Sequence, residues 1–227
     1  MLEWDRDGRA MTRSKINYSP EAFRVTDRAR LEAFLNETGF GMVLSVGERG
    51  VVQHSAIPLL LSSDHQFLEG HVARSNPHWR AWTESLKVSV LFQGPHAYVS
   101  PRWYVSQPQV PTWNYAVVRV EGTVALVEDR AEGLEFIRRL VARYEGTGDK
   151  AWAFDAESDF GRGLFAGIVC FRIRIDHIEG VFKMSQNKAP ADRAGAIHGL
   201  IESGSWNDLA CAEFMKRDSG QESLRSD

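Results

Sequence analysis

The sequence has few cysteines, no long apolar run and no marked excess of charge of one sign. Of its 227 residues only two are cysteines, Cys170 and Cys211, and neither belongs to a CxxC or Cys/His cluster that could hold a structural zinc ion. No uninterrupted run of 18 apolar residues occurs, which argues against a membrane-spanning helix. The first residues lack the apolar segment of a signal peptide, so we expect a cytoplasmic protein with reduced thiols.

The balance of charge limits the classes of partner. There are 27 basic and 30 acidic side chains, a net charge of −3, whereas domains that bind nucleic acid mainly through phosphates usually carry a basic excess. This net charge does not exclude a local basic groove. The chain contains no GxSxG, Walker A, GxGxxG or HExxH motif, and its seven histidines show no ligand spacing, so we expect no metal site.

The sequence does contain short segments in which apolar and polar residues alternate, as in half-buried strands. The clearest is 168–175, where Val169, Phe171 and Ile173 share one face. Cys170 lies on the other face, and we interpret it as a packed or interfacial small residue, not a catalytic thiol. We predict strands over 42–46, 51–61, 66–73, 87–93, 113–127 and 168–175. We predict helices from Thr26 to Gly39 and over 77–84, 129–144, 190–202 and 205–216.

These elements predict a mainly β protein, a β-barrel with appended α-helices. Residues 1–17 are charged and aperiodic, and we expect a flexible amino-terminal extension there. Residues 18–216 form the predicted barrel domain with its C-terminal helices, and 217–227 form a polar, frayed tail.

The motif Gly70–Arg80, with the sequence GHVARSNPHWR, is the best local candidate for a binding site. A strand brings Arg74 to the start of a capped helix, where unpaired backbone N–H groups carry partial positive charge. A guanidinium and the Ser75 hydroxyl added to such a helix start suit a phosphate dianion. The alternative is an ordinary solvated cap with surface arginines.

Three further motifs combine aromatic rings with polar groups: FQGPHAYVSPRWY (92–104), VPTWNY (110–115) and FKMSQNK (182–188). Four of the seven tryptophans, Trp79, Trp82, Trp103 and Trp113, fall between 79 and 113. Indole and phenol planes beside an asparagine amide suit a flat heteroaromatic ring with a polar edge. Rings that plug one end of a barrel, and a polar surface loop at 182–188, are the alternatives.

These four motifs, in this order, closely resemble the PaiB family, the FMN-binding negative transcriptional regulators. The segment Tyr18–Phe23 also resembles the start of that family, and the resemblance covers roughly residues 18–215. It implies the FMN-binding split barrel, an antiparallel Greek-key barrel similar to pyridoxamine-phosphate oxidases and flavin reductases. It also implies a homodimer with FMN at the interface between subunits.

The resemblance assigns cofactor-binding roles by motif position. Arg74, Ser75 and the following helix start would hold the FMN phosphate. The residues that would approach the flavin or the partner subunit are Trp113, Asn114, Tyr115, Lys183, Ser185 and Gln186. The full expected set is His71, Ala73, Arg74, Ser75, Asn76, Trp79, Arg80, Trp113, Asn114, Tyr115, Lys183, Ser185 and Gln186.

The resemblance implies a repressor of protease and sporulation-type genes. The net charge of −3 and the lack of an evident helix-turn-helix argue against direct DNA binding, so this part of the implied function has only weak support from the sequence. An FMN-dependent oxidoreductase of the flavin-reductase type is the alternative, with the flavin as the reactive group. A haem-binding relative of the same fold is a weaker alternative, because His71, His78 and His96 lie close together in the sequence.

Overall fold

The computed structural model describes residues 3–4, 10–11, 20–47, 50–84, 86–146, 148 and 150–222. The chain divides into two compact units, each assembled from separate segments. We call the segments Arg28–Phe92 and Val118–Ile178 the barrel unit. The segments Met1–Asp27, Gln93–Val117 and Glu179–Asp227 are the helical unit.

Nine strands are present in the described residues, and three of them run through both units. The strands are β1 Glu3–Trp4, β2 Ala10–Met11, β3 Arg24–Val25, β4 Phe40–Val46, β5 Val52–Leu61, β6 Phe67–Ala73, β7 Lys87–Val99, β8 Thr112–Leu126 and β9 Ile168–Lys183. β1 and β2 pair with each other. Most of the predicted extension 1–17 otherwise lies outside the described residues.

The other seven strands form one sheet in the order β3-β9-β6-β5-β4-β7-β8, and β8 pairs again with β9. Adjacent strands pair antiparallel where β4 meets β5 and β7, and where β6 meets β5 and β9. The second pairing of β9 closes the strands of the barrel unit on themselves. The mainly β, split-barrel class predicted from the sequence is confirmed.

The closure of the barrel depends on a glycine. At Gly122 of β8 an added Cβ would lie 2.3 Å from the Arg174 carbonyl oxygen of β9, so no side chain fits where these strands cross. Alternation along β6 and β9 buries Leu68, Val72 and Ile173 among the barrel side chains.

The described part of the barrel unit contains three α-helices: α1 Arg28–Thr38, α2 Arg130–Glu145 and α3 Asp159–Ala166. The predicted helix 129–144 is therefore correct to within one residue, and Asp129 caps it by accepting the Ala131 and Glu132 N–H groups at 2.6 and 3.0 Å. Phe136 of α2 packs against Cys170 of β9. The face of β9 that points away from the barrel interior is therefore buried at Cys170. α3 was not predicted.

The helical unit contains β3, the 3-10 helix Pro101–Trp103, and two longer helices, α4 Pro190–Ser203 and α5 Trp206–Glu222. The Trp103 indole packs so closely on α4 that a Cβ at Gly199 would lie 2.2 Å from a ring carbon. The predicted frayed tail from Arg217 is wrong as far as Glu222, because α5 continues to that residue. Among the described residues no helix is both long and apolar enough to cross a membrane.

Candidate cofactor site

The motif singled out in the sequence forms a turn between β6 and a 3-10 helix, Pro77–Glu84, and we call residues 74–80 the arginine turn. The predicted helix has the bounds 77–84 but is a 3-10 helix, not an α-helix. Asn76 begins it, because its side-chain oxygen accepts the His78 backbone N–H at 3.0 Å. Arg74, Ser75 and Arg80 are exposed on this turn.

The Arg74 guanidinium is oriented by the backbone that precedes and begins β9. Its Nε donates to the Ala166 carbonyl at 2.8 Å and its Nη2 to the Ile168 carbonyl at 2.9 Å. A guanidinium has five N–H donors, and no residue that the structure describes is hydrogen-bonded to the Nη1 group, which can therefore donate to an anion. The sequence 73–80 contains two arginines and no carboxylate, so the turn favours an anionic ligand.

A cavity of about 380 Å³ opens beside the arginine turn within the barrel unit. Trp79 lines it and donates its indole N–H to the Arg74 carbonyl at 3.0 Å. The Arg80 guanidinium lies 5.7 Å from the Trp79 ring centroid. The other lining residues are Arg74, Leu126, Val127, Glu128, Asp129, Arg130, Phe165, Ile168, Val169 and Cys170. This volume is within the range of small-molecule sites, about 300–1,000 Å³.

Two residues of the predicted set lie on β6 before the turn. His71 faces α2, with its ring centroid 6.2 Å from that of Phe136, and its Nδ1 is buried with no hydrogen-bond partner among the described residues. Burial lowers the pKa of His71 below its usual value. Ala73 is exposed and pairs with Ile168 of β9. His71 therefore offers an unsatisfied polar atom, and Ala73 offers only backbone and a methyl group.

The helical unit carries an exposed aromatic surface built around Trp113, which is 54% exposed. The rings of His96 and Tyr98 lie beside it, with centroids 6.5 and 6.1 Å away. Lys183 donates to the Trp113 carbonyl at 2.7 Å and to the Thr112 hydroxyl. We call these residues the Trp113 surface.

Lys183 carries the charge of the Trp113 surface. Burial, and the charge of Lys188, lower the pKa of the Lys183 ammonium. Both of its hydrogen-bond acceptors are neutral, so it offers positive charge beside an exposed indole plane.

The remaining predicted residues of the helical unit are turned inward or support the backbone. Asn114 and Ser185 are buried and exchange hydrogen bonds at 3.0 and 3.1 Å, and the Asn114 amide also reaches the Met215 sulfur at 3.4 Å. The Gln186 side chain accepts the Met184 N–H at 2.7 Å and so closes its own turn. Tyr115 is half-buried on β8. Their direct contact with a cofactor stays a prediction.

Some residues of the candidate site were missed by sequence reasoning. Phe165 and Arg130 line the cavity, and they come from α3 and the start of α2, far along the chain from the arginine turn. No local pattern connects them with that turn. Among the described residues no three His, Cys, Asp or Glu side chains form a group that could hold a metal ion.

The residues present fit FMN chemically. The arginine turn presents a guanidinium N–H pair, a serine hydroxyl and a second arginine, which suit a phosphate dianion. The unsatisfied Nδ1 of His71 is a further polar atom next to that motif. In the helical unit, taken by itself, the half-exposed indole of Trp113 is a plane on which a flat ring can stack.

Comparison with known proteins defines the family. The family model described as "Putative FMN-binding domain" matches residues 17–177. The chain is 33% identical over 201 residues to "Protease synthase and sporulation protein PAI 2" of Bacillus subtilis (strain 168), covering 88% of this chain and 96% of that protein. The chain therefore belongs to the PaiB family of FMN-binding-domain proteins, as the sequence motifs predicted.

Solved structures show the same fold at low sequence identity. A FAD and heme binding protein from Mycobacterium smegmatis matches with a TM-score of 0.58 and 17% identity, over 81% of this chain and 80% of that one. The flavocytochrome Anf3 from Azotobacter vinelandii matches with a TM-score of 0.57 and 14% identity, over 79% of this chain and 75% of that one. These similarities support the fold assignment.

Proposed function

We propose that this chain binds FMN with the phosphate on the arginine turn of the barrel unit. The observation that carries this proposal is the Arg74 guanidinium, which two backbone carbonyls hold in place while its Nη1 group has no hydrogen-bond partner among the described residues. Ser75 and Arg80 add a hydroxyl and a second positive charge on the same exposed turn. Membership in the FMN-binding-domain family supports the same ligand.

We propose separately that the Trp113 surface of the helical unit can stack on a flat ring such as an isoalloxazine. Trp113 offers the plane, and Lys183 beside it offers positive charge to carbonyl oxygens of the ring. Asn114 and Ser185 hold β8 to the turn after β9 beneath this surface. Bound FMN would supply a redox-active ring, whereas the protein groups bind and orient it.

We propose that the chain forms a homodimer with FMN at the interface between copies. The outward face of β4, β5 and β7 in the barrel unit exposes Phe40, Met42, Val46, Val52 and Leu91. Met42 lies opposite Leu91 across the β4–β7 pair, and Val46 lies opposite Val52 across the β4–β5 pair, so apolar side chains are adjacent at two places on this face. A second copy would remove this apolar area from water.

The direct test of FMN binding is titration of purified protein with FMN and with riboflavin, followed by flavin fluorescence. We expect binding at micromolar FMN or tighter and weaker binding of riboflavin, which lacks the phosphate. Protein that shows no saturable binding of either flavin would refute the proposal. Equal affinity for both would refute the phosphate site alone.

We propose a role for the FMN-bound protein as a cytoplasmic negative regulator of transcription. Its support is the relationship to a Bacillus subtilis protein whose name refers to protease synthesis and sporulation. The test is binding to DNA from upstream of the protein's own gene, measured by anisotropy at several salt concentrations with and without FMN. Sequence-selective, salt-dependent binding supports the role, and binding no tighter than to random DNA contradicts it.

A second candidate function is an FMN-dependent oxidoreductase. The exposed ring of Tyr98 beside Trp113 favours it, because a second flat molecule such as a nicotinamide ring can stack on an exposed aromatic surface next to a flavin. The test is NADH and NADPH oxidation by the FMN-loaded protein. Turnover that exceeds the rate with free FMN supports the enzyme, and equal rates contradict it.

A further inference from the structure

A buried hydrogen-bond network lies directly beneath the arginine turn. His78, which is 3% exposed, meets the Ser45 hydroxyl with Nε2 at 2.8 Å and the Ser55 hydroxyl with Nδ1 at 2.9 Å. The Asn76 amide nitrogen donates to the same Ser55 hydroxyl at 3.0 Å. All four side chains belong to the barrel unit.

The direction of the Asn76 amide is fixed by the backbone. A backbone N–H can only donate, and the His78 N–H points to the Asn76 oxygen at 3.0 Å. The amide nitrogen of Asn76 must therefore face Ser55 and donate to it. The Ser55 hydroxyl on β5 is therefore hydrogen-bonded to two residues of the arginine turn, Asn76 and His78.

The network connects the turn to two strands of the barrel. Ser45 is on β4 and Ser55 is on β5, which pair with each other. The His78 ring also packs on Trp82, with centroids 4.7 Å apart, and Trp82 is fully buried. His78 is therefore held by polar contacts on both ring nitrogens and by an apolar contact on its face.

Burial, with a smaller contribution from His54, lowers the pKa of His78. The neutral imidazole has one donor and one acceptor nitrogen, which the two serine hydroxyls satisfy together. Buried polar groups that are fully paired resist displacement, because any movement leaves one of them unsatisfied.

We propose that Ser55, His78 and Ser45 are positioning residues for FMN phosphate, because they hold the arginine turn in its binding geometry. This inference rests on the proposed phosphate site at Arg74. Arg74 and Ser75 face solvent on one side of the turn, while Asn76 and His78 anchor the other side. Groups held before the ligand arrives lose less conformational freedom on binding.

The test compares FMN with riboflavin on wild-type protein, Ser55→Ala, Ser45→Ala and His78→Gln. We expect Ser55→Ala to weaken FMN binding about tenfold, or about 1.4 kcal/mol, and to change riboflavin affinity less than twofold. Ser45→Ala removes only the hydrogen bond to His78 Nε2 and leaves both Ser55 contacts with the turn in place, so it should weaken FMN binding by about threefold. Ser100→Ala is the matched control, because Ser100 is a buried serine that caps a different 3-10 helix.

The outcomes separate this inference from the proposed function. If wild-type protein does not prefer FMN over riboflavin, the phosphate site itself is wrong. If wild-type protein prefers FMN and Ser55→Ala and Ser45→Ala keep that preference, the positioning role is wrong. An equal loss of both ligands in step with a lower melting temperature would also overturn it, since that reports general support of the fold.

Discussion

Replacement of Arg74 by alanine tests the proposed phosphate site most directly. The guanidinium would lose a charge-assisted contact to the phosphate, which contributes about 1.5–3 kcal/mol. That range corresponds to about 10- to 140-fold weaker FMN binding, at about 1.4 kcal/mol per factor of ten. Riboflavin has no phosphate, so its affinity should change less than twofold. The assay is fluorescence titration with both flavins.

The same substitution has a structural cost that must be measured separately. Arg74 also donates to the Ala166 and Ile168 carbonyls, so alanine leaves these acceptors to water. Because Arg74 is exposed, we expect a loss of no more than about 1 kcal/mol in the free energy of unfolding for each bond. Urea unfolding of the variant measures this loss.

Two comparison variants complete the experiment. Arg138→Ala removes another exposed arginine of the barrel unit, which forms an ion pair with Glu135 on the same helix, and it should leave FMN binding unchanged. Arg74→Lys keeps the charge but not the planar fork, so it should bind FMN with intermediate affinity and greater sensitivity to salt. Unchanged FMN affinity in folded Arg74→Ala protein would refute the phosphate assignment.

The remaining predictions concern thiol reactivity, helix packing and self-association. Burial raises the pKa of Cys170 to about 11 and that of Cys211 to about 12, so neither should react with a disulfide reagent at pH 8 until the protein unfolds; rapid native labelling would contradict this. Gly199→Ala should lower the free energy of unfolding by about 1–3 kcal/mol, whereas Gly163→Ala in α3, with no atom within 4 Å of the new Cβ, should raise it by up to about 1 kcal/mol; equal effects in urea unfolding would refute the packing argument. Met42→Lys should convert the proposed dimer to a monomer in light scattering, and a persistent dimer would exclude this face.

The sequence predicts best those elements whose signals are local. The start of the 3-10 helix 77–84 follows from Asn76 and Pro77, a capping side chain followed by proline. Helix α2 follows from its Asp129 cap and its apolar stripe. In both cases the residues that start the element lie within one turn of it.

Elements whose lengths depend on distant partners were predicted less well. The predicted strand 168–175 extends to Lys183, because β3 pairs with its second half at Gly180 and Val181. Cys170 is buried because α2, which begins forty residues earlier at Arg130, covers that face of β9. α3 is short and contains two glycines, so its pattern is too weak for prediction.

In the candidate site, too, the features set by local sequence were predicted better than those set by distant contacts. The exposure of Arg74 and Ser75 agrees with the sequence argument for an anion site on a turn. Asn114 and Ser185 were grouped with the exposed aromatics because of their polar side chains, but they pair with each other in the interior. Residue type alone does not reveal whether a polar group meets a ligand or another buried polar group.

The arginine turn combines exposed arginines, which can bind a ligand, with buried polar side chains, which fix the backbone. Exposed arginines have high side-chain entropy and bind poorly unless the backbone beneath them is fixed. Arg74 is fixed from outside by the Ala166 and Ile168 carbonyls. The other end of the turn is fixed from inside, where His78 meets two serines. A substitution at His78 should therefore act on FMN through the arginines, although its own side chain is closed off from solvent.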